Sequence, residues 1–453
     1  MSQSDTIKAL TALVEKQAVQ ITALLVRVES LEQELSFYKN RKNNGNSHIP
    51  SSVDLGKPKR NQSLREKSGK KAGGQQGHDG STLAFHAIPD EIMIYAPQYC
   101  HCCGDDLSAI PAIPLSKRQV IDIPQPVAIC TEHRTFSKTC SCGHTTKGEF
   151  PAHVKAPVQY GSHIEALTAY LNVRQYMPFG RIQEFYSKIM GLEISQGGIV
   201  GLLQRFTGKA LPMYREIKNR IEKAACLGTD ETGAKINGRT HWFWTWQNEA
   251  LTFIVQSQSR GYKTIAQTFP DGLPEIILVH DRWAAHFRCE ASQHQICLAH
   301  LLRDLNYIAQ IHQDDWSKSL KSVLKRAISL NNEADYDALS ESPARNELEQ
   351  SLIDLLQLQL PDKHKLAIRL QKKLRKISHH ILCFLHYNSV PPDNNGSERA
   401  IRTIKVKQKV SGGFRSLDGA DGFAIMRSVI DTTIKSGNDV FYTLKLIANF
   451  SPE

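Results

Sequence analysis

The chain has 453 residues, a formal net charge of +11 and an apolar content of 41%. This length exceeds what one hydrophobic core usually serves, so we expect several domains. The apolar runs are too short to span a bilayer, and the N-terminus lacks the pattern of a signal peptide, which predicts a cytoplasmic protein without a membrane partner. The positive charge favours a polyanionic partner, most commonly nucleic acid.

Residues 1–42 are predicted to form a leucine-zipper coiled coil. Mostly apolar residues recur every seven positions in two series, which are Ile7, Val14, Ile21, Val28, Leu35 and Leu10, Gln17, Leu24, Leu31, Tyr38. β-branched residues in the first series with leucines in the second favour a parallel two-stranded coil, and therefore a homodimer. The alternative is a single amphipathic helix packed on its own domain.

Residues 43–90 are predicted to be a flexible basic linker. The run KPKRNQSLREKSGKKAGGQQGHDG is rich in Lys, Arg, Gly, Ser and Gln and nearly free of large apolar side chains. Such a segment can lie along DNA phosphates, and its composition fits a plain solvated tether equally well.

Residues 91–155 are predicted to form a small zinc ribbon. Ten cysteines in a cytosolic chain argue against disulfides and favour metal binding. Two cysteine pairs, each followed by Gly, flank the β-rich stretch RQVIDIPQPVAICTEHRTFS, and thiolates bind Zn²⁺ tetrahedrally. The predicted ligands are Cys100, Cys103, Cys140 and Cys142, with His144, Cys130 and Cys102 as alternatives because the second pair is tighter than CxxC. The other interpretation is that these are buried cysteines that bind no metal.

Residues 156–222 are predicted to be helical. The segments GRIQEFYSKIM and QGGIVGLLQRF, separated by GLEIS, have the length and spacing of a helix-turn-helix, with Ser195 as the N-cap of the second helix. Such a unit is typical of major-groove recognition, although helical hairpins are also common without DNA.

Residues 223–415 are predicted to form an α/β ribonuclease-H-like core. A strand ending at Asp230 precedes two β-rich runs, a helix over RGYKTIAQTF and a second buried strand that ends at Asp281. In this order the first and fourth strands are neighbours, which brings the two aspartates together at the carboxyl ends of the strands. Long helical segments over about 301–390 form an insertion, and residues 416–453 form a C-terminal helical tail.

The two aspartates predict a divalent-metal site, because adjacent carboxylates repel unless a cation neutralises them. Magnesium prefers such oxygen ligands. We expect the third ligand to be Glu398, which opens a helix in PPDNNGSERAIRTIKVKQK and is followed by the basic residues Arg399, Arg402, Lys405 and Lys409, the predicted DNA contacts. Glu231 and Asp393 are alternative ligands. Cys297 and His300 in CLAH are interpreted as a packed thiol and a hydrogen-bonded imidazole, with a zinc pair as the alternative.

Taken together, these motifs resemble transposases of the insertion-sequence 66 family over nearly the whole chain. The matching pieces include the zipper, GGQQGHDGSTL, the cysteine knuckles, EISQGGIVGLL, TDET, HDRWAAHF, QICLAHLLRDL, DNNGSERAIRTIKVKQK and the tail from SGGFRSLDG onward. The resemblance implies that Asp230, Asp281 and Glu398 are the catalytic acidic triad. The spacing in TCSCGH departs from the family pattern, in which two residues usually separate the cysteines.

The resemblance predicts a bacterial DNA transposase that binds its element's terminal inverted repeats and target DNA. Mg²⁺ or Mn²⁺ would serve the triad and Zn²⁺ the cysteines, and the enzyme would cleave and join strands by a two-metal mechanism. We expect a nucleoid-associated homodimer, with accessory proteins in some elements of this type. The alternatives are a ribonuclease-H-like nuclease and a non-catalytic, zinc-containing DNA-binding protein derived from a transposase.

Overall fold

The computed structural model describes residues 3–39, 83–124, 126–312, 314–333, 342–388 and 390–450. The chain divides into two compact units, Lys59–Ala128 and Met1–Pro58 with Ile129–Glu453. Most of the predicted basic linker, residues 43–82, lies outside the described residues. Within the described ranges, no helix is long and apolar enough to cross a membrane.

The predicted zipper segment is a single long helix, α1 (Gln3–Lys39). Its heptad residues face solvent, and Ile7 and Leu24 are 61% and 64% exposed. The helix therefore does not bury this stripe in the chain's own core. Near its C-terminal end, the Phe37 ring contacts the His312 ring at 6.4 Å between centroids.

The predicted β-rich stretch before the second cysteine pair forms less sheet than expected. The described residues from 118 to 136 belong to no strand, and a short hairpin follows, with β1 (Ser137–Thr139) paired to β2 (Thr145–Lys147). Prolines at 124 and 126 explain the difference, since each removes a backbone donor from any strand ladder.

The helical segment after the hairpin consists of α2 (Ser162–Ala169), a π-helical turn (Tyr170–Arg174), α3 (Phe179–Met190) and α4 (Gln196–Ile221). The predicted cap is confirmed, because the Ser195 hydroxyl accepts a hydrogen bond from the Gly198 N–H over 3.0 Å. Helix α3 ends at Gly191, whose φ of 59° lies in the left-handed region.

A five-stranded mixed sheet forms the centre of the larger unit. Its strands, β3 (Cys226–Ile236), β4 (Arg239–Gln247), β5 (Thr252–Ser257), β6 (Leu273–His280) and β7 (Ala291–Ile296), lie in the order β5-β4-β3-β6-β7. The first three strands form an antiparallel meander, and β6 pairs in parallel with β3 after helix α5 (Tyr262–Thr268). The predicted meander, helix and return to the first strand are therefore all present.

Both faces of the sheet are covered, which explains the unbroken apolar run in β6. Ile276 and Leu278 belong to one hydrophobic core, whereas Ile277 and Val279 belong to a second core on the opposite face. Successive side chains of a strand point to opposite faces, so a strand that is covered on both sides is apolar at every position.

The second core is built by the helical insertion. After the short α6 (Ala284–Phe287) and β7, the chain forms α7 (Leu298–His312), α8 (Asp315–Glu333), α9 (Pro343–Gln357) and α10 (Lys365–Arg375), then two 3₁₀ turns (Ser378–His380 and Cys383–Leu385). The Leu298 N–H donates to the Pro392 carbonyl oxygen over 2.9 Å, so the first and last residues of this excursion lie together.

Three helices complete the unit, namely α11 (Asn395–Ser411), α12 (Leu417–Lys435) and α13 (Val440–Asn449). Helix α12 packs on α4 and β5, and the first core contains residues from the helical segment, the sheet and these last helices. The boundaries that we predicted at 222/223 and 415/416 therefore run through one shared core.

Candidate active site

Asp230 and Asp281 lie just beyond the last residues that are paired between two neighbouring strands, β3 and β6. Gly228 of β3 is the partner of Val279 of β6, and each aspartate lies two residues further along the chain, Asp230 within β3 and Asp281 one residue after the end of β6. The carboxyl ends of neighbouring parallel strands form a common edge, where ligand sites of open α/β sheets are generally found. The prediction that the first strand ends at Asp230 is wrong, because β3 continues to Ile236 in its pairing with β4, whereas Asp281 does directly follow the end of β6 at His280. The parallel pairing of β3 with β6 still places the two aspartates at matching positions.

The environment of Asp230 is strongly electronegative. Burial raises the pKa of Asp230 well above its usual range, and the negative charges of Glu231, Asp281 and Glu398 raise it further. The Glu231 N–H donates to one Asp230 oxygen over 2.8 Å, which opposes the increase only in part. Carboxylates from three separate elements thus converge on this edge of the sheet.

Glu231, the alternative ligand, points to the opposite face of the sheet from Asp230, as strand alternation requires. Its carboxylate accepts hydrogen bonds from Arg260 Nε at 2.9 Å and from His286 Nε2 at 3.1 Å. Burial alone would raise the pKa of Glu231, but His286 and Arg260 together lower it. Both Glu231 oxygens therefore have protein partners, and His286 Nε2 is also 3.8 Å from Asp281 Oδ1.

Glu398 reaches the site because the start of α11 is fastened to β3. The Asn394 side-chain amide donates to the Thr229 carbonyl oxygen over 2.6 Å, directly before Asp230. Asn394 Oδ1 accepts from the Ser397 hydroxyl at 2.6 Å, and both residues are almost fully buried. Glu398 follows Ser397 in the first turn of the helix, so this anchor sets its position.

Gly228 permits the close approach of α11 to the strand. A Cβ atom at this position would lie 2.6 Å from Asn394 Oδ1, 2.7 Å from Gln247 Nε2 and 2.7 Å from Ser397 Oγ. Real side chains do not tolerate such distances, so only glycine leaves room for this polar cluster. The strand that carries Asp230 is thus shaped to receive the helix that carries Glu398.

Cationic and imidazole side chains surround Glu398. Its Oε1 atom is 3.6 Å from His300 Nε2 and 4.0 Å from Arg303 Nη1, while Oε2 is 3.7 Å from Arg402 Nη2. These separations exceed normal hydrogen-bond lengths. Oε1 is buried and has no hydrogen-bond partner among the described residues. A buried carboxylate oxygen without a donor is costly unless a ligand satisfies it.

Asp393, the other alternative ligand, is engaged at the turn before α11. Its Oδ1 accepts from the Asn395 N–H at 2.9 Å and its Oδ2 from the Asn395 side-chain amide at 2.6 Å. In the described part of the chain, no group of three or more His, Cys, Asp or Glu side chains is arranged as a metal site. The three carboxylates therefore interact through their charges but do not form a finished ligand cluster.

One family model covers this part of the chain. The model of the family described as "Transposase IS66 family" matches residues 157–422, more than half of the chain, and includes both aspartates and Glu398. The chain belongs to the IS66 transposase family. It matches none of the curated proteins with which it was compared.

In this IS66-family transposase, the predicted DNA-contacting residues of α11 differ in exposure. Arg399, Arg402 and Lys409 are exposed, whereas Lys405 is half-buried and donates to the Gly233 carbonyl oxygen over 2.6 Å. Lys407, which the sequence analysis passed over, is buried beneath α11, and its amine donates to the Asn172 carbonyl oxygen over 3.2 Å. Fewer of the basic side chains of α11 are therefore available to DNA than the sequence suggests.

Cys297 and His300 of the transposase lie next to the start of α11, the helix that carries Glu398. The Cys297 N–H donates to the His280 carbonyl oxygen at 2.8 Å, and the Cys297 sulfur accepts from the Asn394 N–H at 3.2 Å. Burial raises the pKa of Cys297 to about 11, so its thiol stays protonated. Burial and the charge of Arg303 lower the pKa of His300 to about 4. This geometry makes Cys297 a packing residue beside the site. The predicted hydrogen bond of the His300 imidazole is not found among the described residues, because Nδ1 is buried without a partner and Nε2 lies 3.6 Å from Glu398 Oε1.

The predicted zinc ligands of the transposase fall in both units of the chain, Cys100 and Cys103 in the smaller unit and Cys140 and Cys142 in the larger one. At Cys100 the Gly104 N–H returns to the Cys100 carbonyl oxygen, and at Cys140 the Gly143 N–H returns to the Cys140 carbonyl oxygen, both over 2.9 Å. Both glycines have positive φ. Hydrogen bonds from neighbouring backbone N–H groups lower the pKa of Cys100 and of Cys140, which favours the thiolate that zinc needs.

Several residues that build the site were missed in the sequence analysis. Asn394, Gly228 and Ser397 anchor α11, and Arg260 with His286 neutralises Glu231. The compact run DNNGSE was a usable signal, since polar residues and Gly at a helix start indicate capping and close backbone approach. Arg260 and His286 carried no local signal, because their partner is distant in sequence.

Proposed function

We propose that this chain is a DNA transposase of a bacterial insertion sequence that cleaves element ends and transfers the freed strands to target DNA with the help of divalent metal ions. Asp230, Asp281 and Glu398 form its acidic triad. The observation that carries the proposal is the convergence of these three carboxylates, in which a helix beyond a long insertion is fastened beside the first aspartate. The order of the five strands, β5-β4-β3-β6-β7, supports a ribonuclease-H-like core.

The side chains fit a hard divalent cation such as Mg²⁺ or Mn²⁺. The donors are all carboxylate oxygens, which these ions prefer. Burial, together with the negative charges of Glu231, Asp281 and Glu398, raises the pKa of Asp230, and a bound cation would oppose both effects. The buried Glu398 Oε1 has no hydrogen-bond donor in the described chain, and the charge of Glu398 acts on Asp230. Bound there, two ions would activate the attacking hydroxyl and stabilise the leaving oxygen of the phosphodiester.

The remaining residues of the site hold the carboxylates and the DNA in position. The Trp283 N–H donates to Asp281 Oδ1 over 2.9 Å, which fixes the orientation of that carboxylate. His300 and Arg303 border Glu398 and restrict its movement. The exposed Arg399, Arg402 and Lys409 would contact DNA phosphates next to the cleaved bond, where positive side chains supply affinity without reading sequence.

Two copies of the chain would bring two element ends together. The exposed heptad stripe of α1 supports this proposal, because a helix with such a stripe gains stability by pairing with a second copy. The basic linker, the cysteine knuckles and the α3–α4 pair would contribute to recognition of the terminal repeats. Zn²⁺ at the knuckles remains part of the proposal, and so does action on DNA in the cytoplasm.

The decisive experiment measures Mg²⁺-dependent cleavage of DNA that carries the inverted repeats flanking the gene. Asp281→Asn should abolish cleavage while DNA binding is retained, because the amide keeps the shape of the side chain and loses its charge. Asp271→Asn, at an exposed position in the turn before β6, is the matched control and should cleave normally. Undiminished cleavage by Asp281→Asn would refute the triad.

A further inference from the structure

Trp283 stands apart from the other tryptophans of the chain because of its exposure. Trp244, Trp246 and Trp316 are buried, whereas Trp283 is 39% exposed. It follows Asp281 by two residues, and its backbone N–H bonds the Asp281 carboxylate. A large exposed indole is thus held beside a residue of the proposed triad.

An ion pair between the partly exposed Arg260 and the buried Glu231 supports the indole. The Arg260 guanidinium lies 4.4 Å from the Trp283 ring centroid and 4.8 Å from the Trp242 ring centroid, so it is sandwiched between the two rings. Arg260 is itself fixed by its hydrogen bond to buried Glu231, and the indole N–H of Trp283 points to the Arg260 carbonyl oxygen at 3.4 Å. These contacts hold the ring in place without burying it.

The exposed part of the ring has no aromatic neighbour. Within the described residues, no aromatic side chain forms a ring pair with Trp283, although Trp244 and Trp246 stack on each other with centroids 6.0 Å apart. The hydrophobic core therefore gains little from this indole. A rigid, exposed aromatic surface beside a phosphodiester site is suited to stacking on a nucleobase, and every base offers such a face.

We propose that Trp283 is a stacking platform for an unpaired base of the DNA strand that is bound at Asp281. This inference rests on the proposed function, since it requires DNA at the triad. Stacking would hold the strand end open beside the carboxylates, while Arg260, which is paired with Glu231, keeps the indole in place from beneath. Base identity would matter little, because stacking does not read hydrogen-bonding groups.

The test compares two DNA duplexes in Ca²⁺, used in place of Mg²⁺ to prevent cleavage. One duplex carries a short 3′ overhang of thymidines and the other carries the same overhang with abasic sites. The wild-type protein should bind the thymidine overhang about 5- to 160-fold more tightly, the range expected for stacking of one base. Trp283→Ala should bind both duplexes equally, and Trp283→Phe should retain most of the preference.

Tyr442→Ala is the matched control, since Tyr442 is an exposed aromatic residue on α13 and should leave the preference unchanged. A 2-aminopurine in the overhang should be quenched on binding by the wild-type protein and by Trp283→Phe, but not by Trp283→Ala. A preference that survives in Trp283→Ala, or one that is absent from the wild type, overturns the platform. In either case Mg²⁺-dependent cleavage would still report on the triad, so the two proposals fail separately.

Discussion

The Asn394 side-chain amide donates a hydrogen bond to the Thr229 carbonyl oxygen over 2.6 Å, across 165 positions of sequence. Thr229 directly precedes Asp230, and Asn394 begins the turn that carries Glu398. The two ends of the proposed triad are therefore joined by backbone and buried amide contacts rather than by their own side chains. A site that has to hold several like charges together depends on such outside support.

Replacement of Gly228 by alanine should disrupt this junction. The new methyl group would meet Asn394, Gln247 and Ser397 at 2.6–2.7 Å, and overpacking of this kind costs about 1–3 kcal/mol of unfolding free energy. Gly233→Ala on the same strand is the matched control, because its Cβ would find its nearest neighbour at 3.6 Å. Urea denaturation should separate the two variants, and equal stabilities would contradict the described contact.

Removal of the Cys297 thiol should leave the Asn394 N–H without its acceptor. We expect Cys297→Ala to lose about 1–2 kcal/mol more stability than Cys289→Ala, since an unsatisfied buried donor adds its desolvation cost. Both cysteines are buried, which makes Cys289 a fair control for the lost volume. Cleavage should fall in Cys297→Ala and persist in Cys289→Ala. If the two variants melted at the same urea concentration, the sulfur would not be supporting the helix.

Lys407 should make the free energy of unfolding vary with pH in the alkaline range. Burial lowers the pKa of Lys407 to about 8, below its usual 10.5. Below pH 8 the amine is charged in both the folded and the unfolded chain, so the full cost of burying the charge is present. Between pH 8 and 10.5 the unfolded chain binds more protons, and stability therefore rises with pH.

Lys407→Met should accordingly be more stable than the wild type near pH 7, by up to about 3 kcal/mol, with the advantage shrinking toward pH 10.5. Thermal melts across this range would measure the difference. Lys409→Met, at an exposed position on the same helix, should show no such trend. A difference between Lys407→Met and wild type that stays constant with pH would rule out the proposed burial cost.

Zinc content tests the prediction for the cysteine pairs. The purified protein should contain zinc by elemental analysis, and Cys100→Ser or Cys140→Ser should lose it, because serine does not replace a thiolate ligand. Cys383→Ala should keep its zinc, since burial raises the pKa of that thiol to about 11 and keeps it protonated. Zinc-free wild-type protein would refute the prediction.

Local patterns predicted those parts of the fold that depend on neighbouring residues. The meander, the helix before β6 and the Ser195 cap follow from alternation, apolar runs and capping chemistry, and all are present. The prediction that the stretch before Cys140 is rich in β-strand was wrong, because each of its two prolines removes a backbone donor that a strand would need. The coiled coil, the zinc site and the triad remain predictions.

Contacts between distant segments could not be predicted in the same way. Nothing near Glu231 indicates that Arg260 and His286 will neutralise it, and helical spacing alone does not show that Lys405 turns toward Gly233. The helical segment and the sheet each have a plausible apolar face, and only packing decides that the two faces meet in one core. Which faces pack together depends on the total apolar area that the folded chain buries, and a short segment of sequence gives no information on that total.

The bond between Leu298 and Pro392 has an evolutionary consequence. The chain leaves the sheet at Leu298 and comes back beside it at Pro392, so the segment between these two residues is an insertion whose ends lie together. Lengthening such a loop costs little entropy once its ends are pinned. Because the excursion also covers one face of the sheet and carries His300 and Arg303 beside Glu398, added length should be tolerated best in its outer connections, away from the junction at which chemistry would take place.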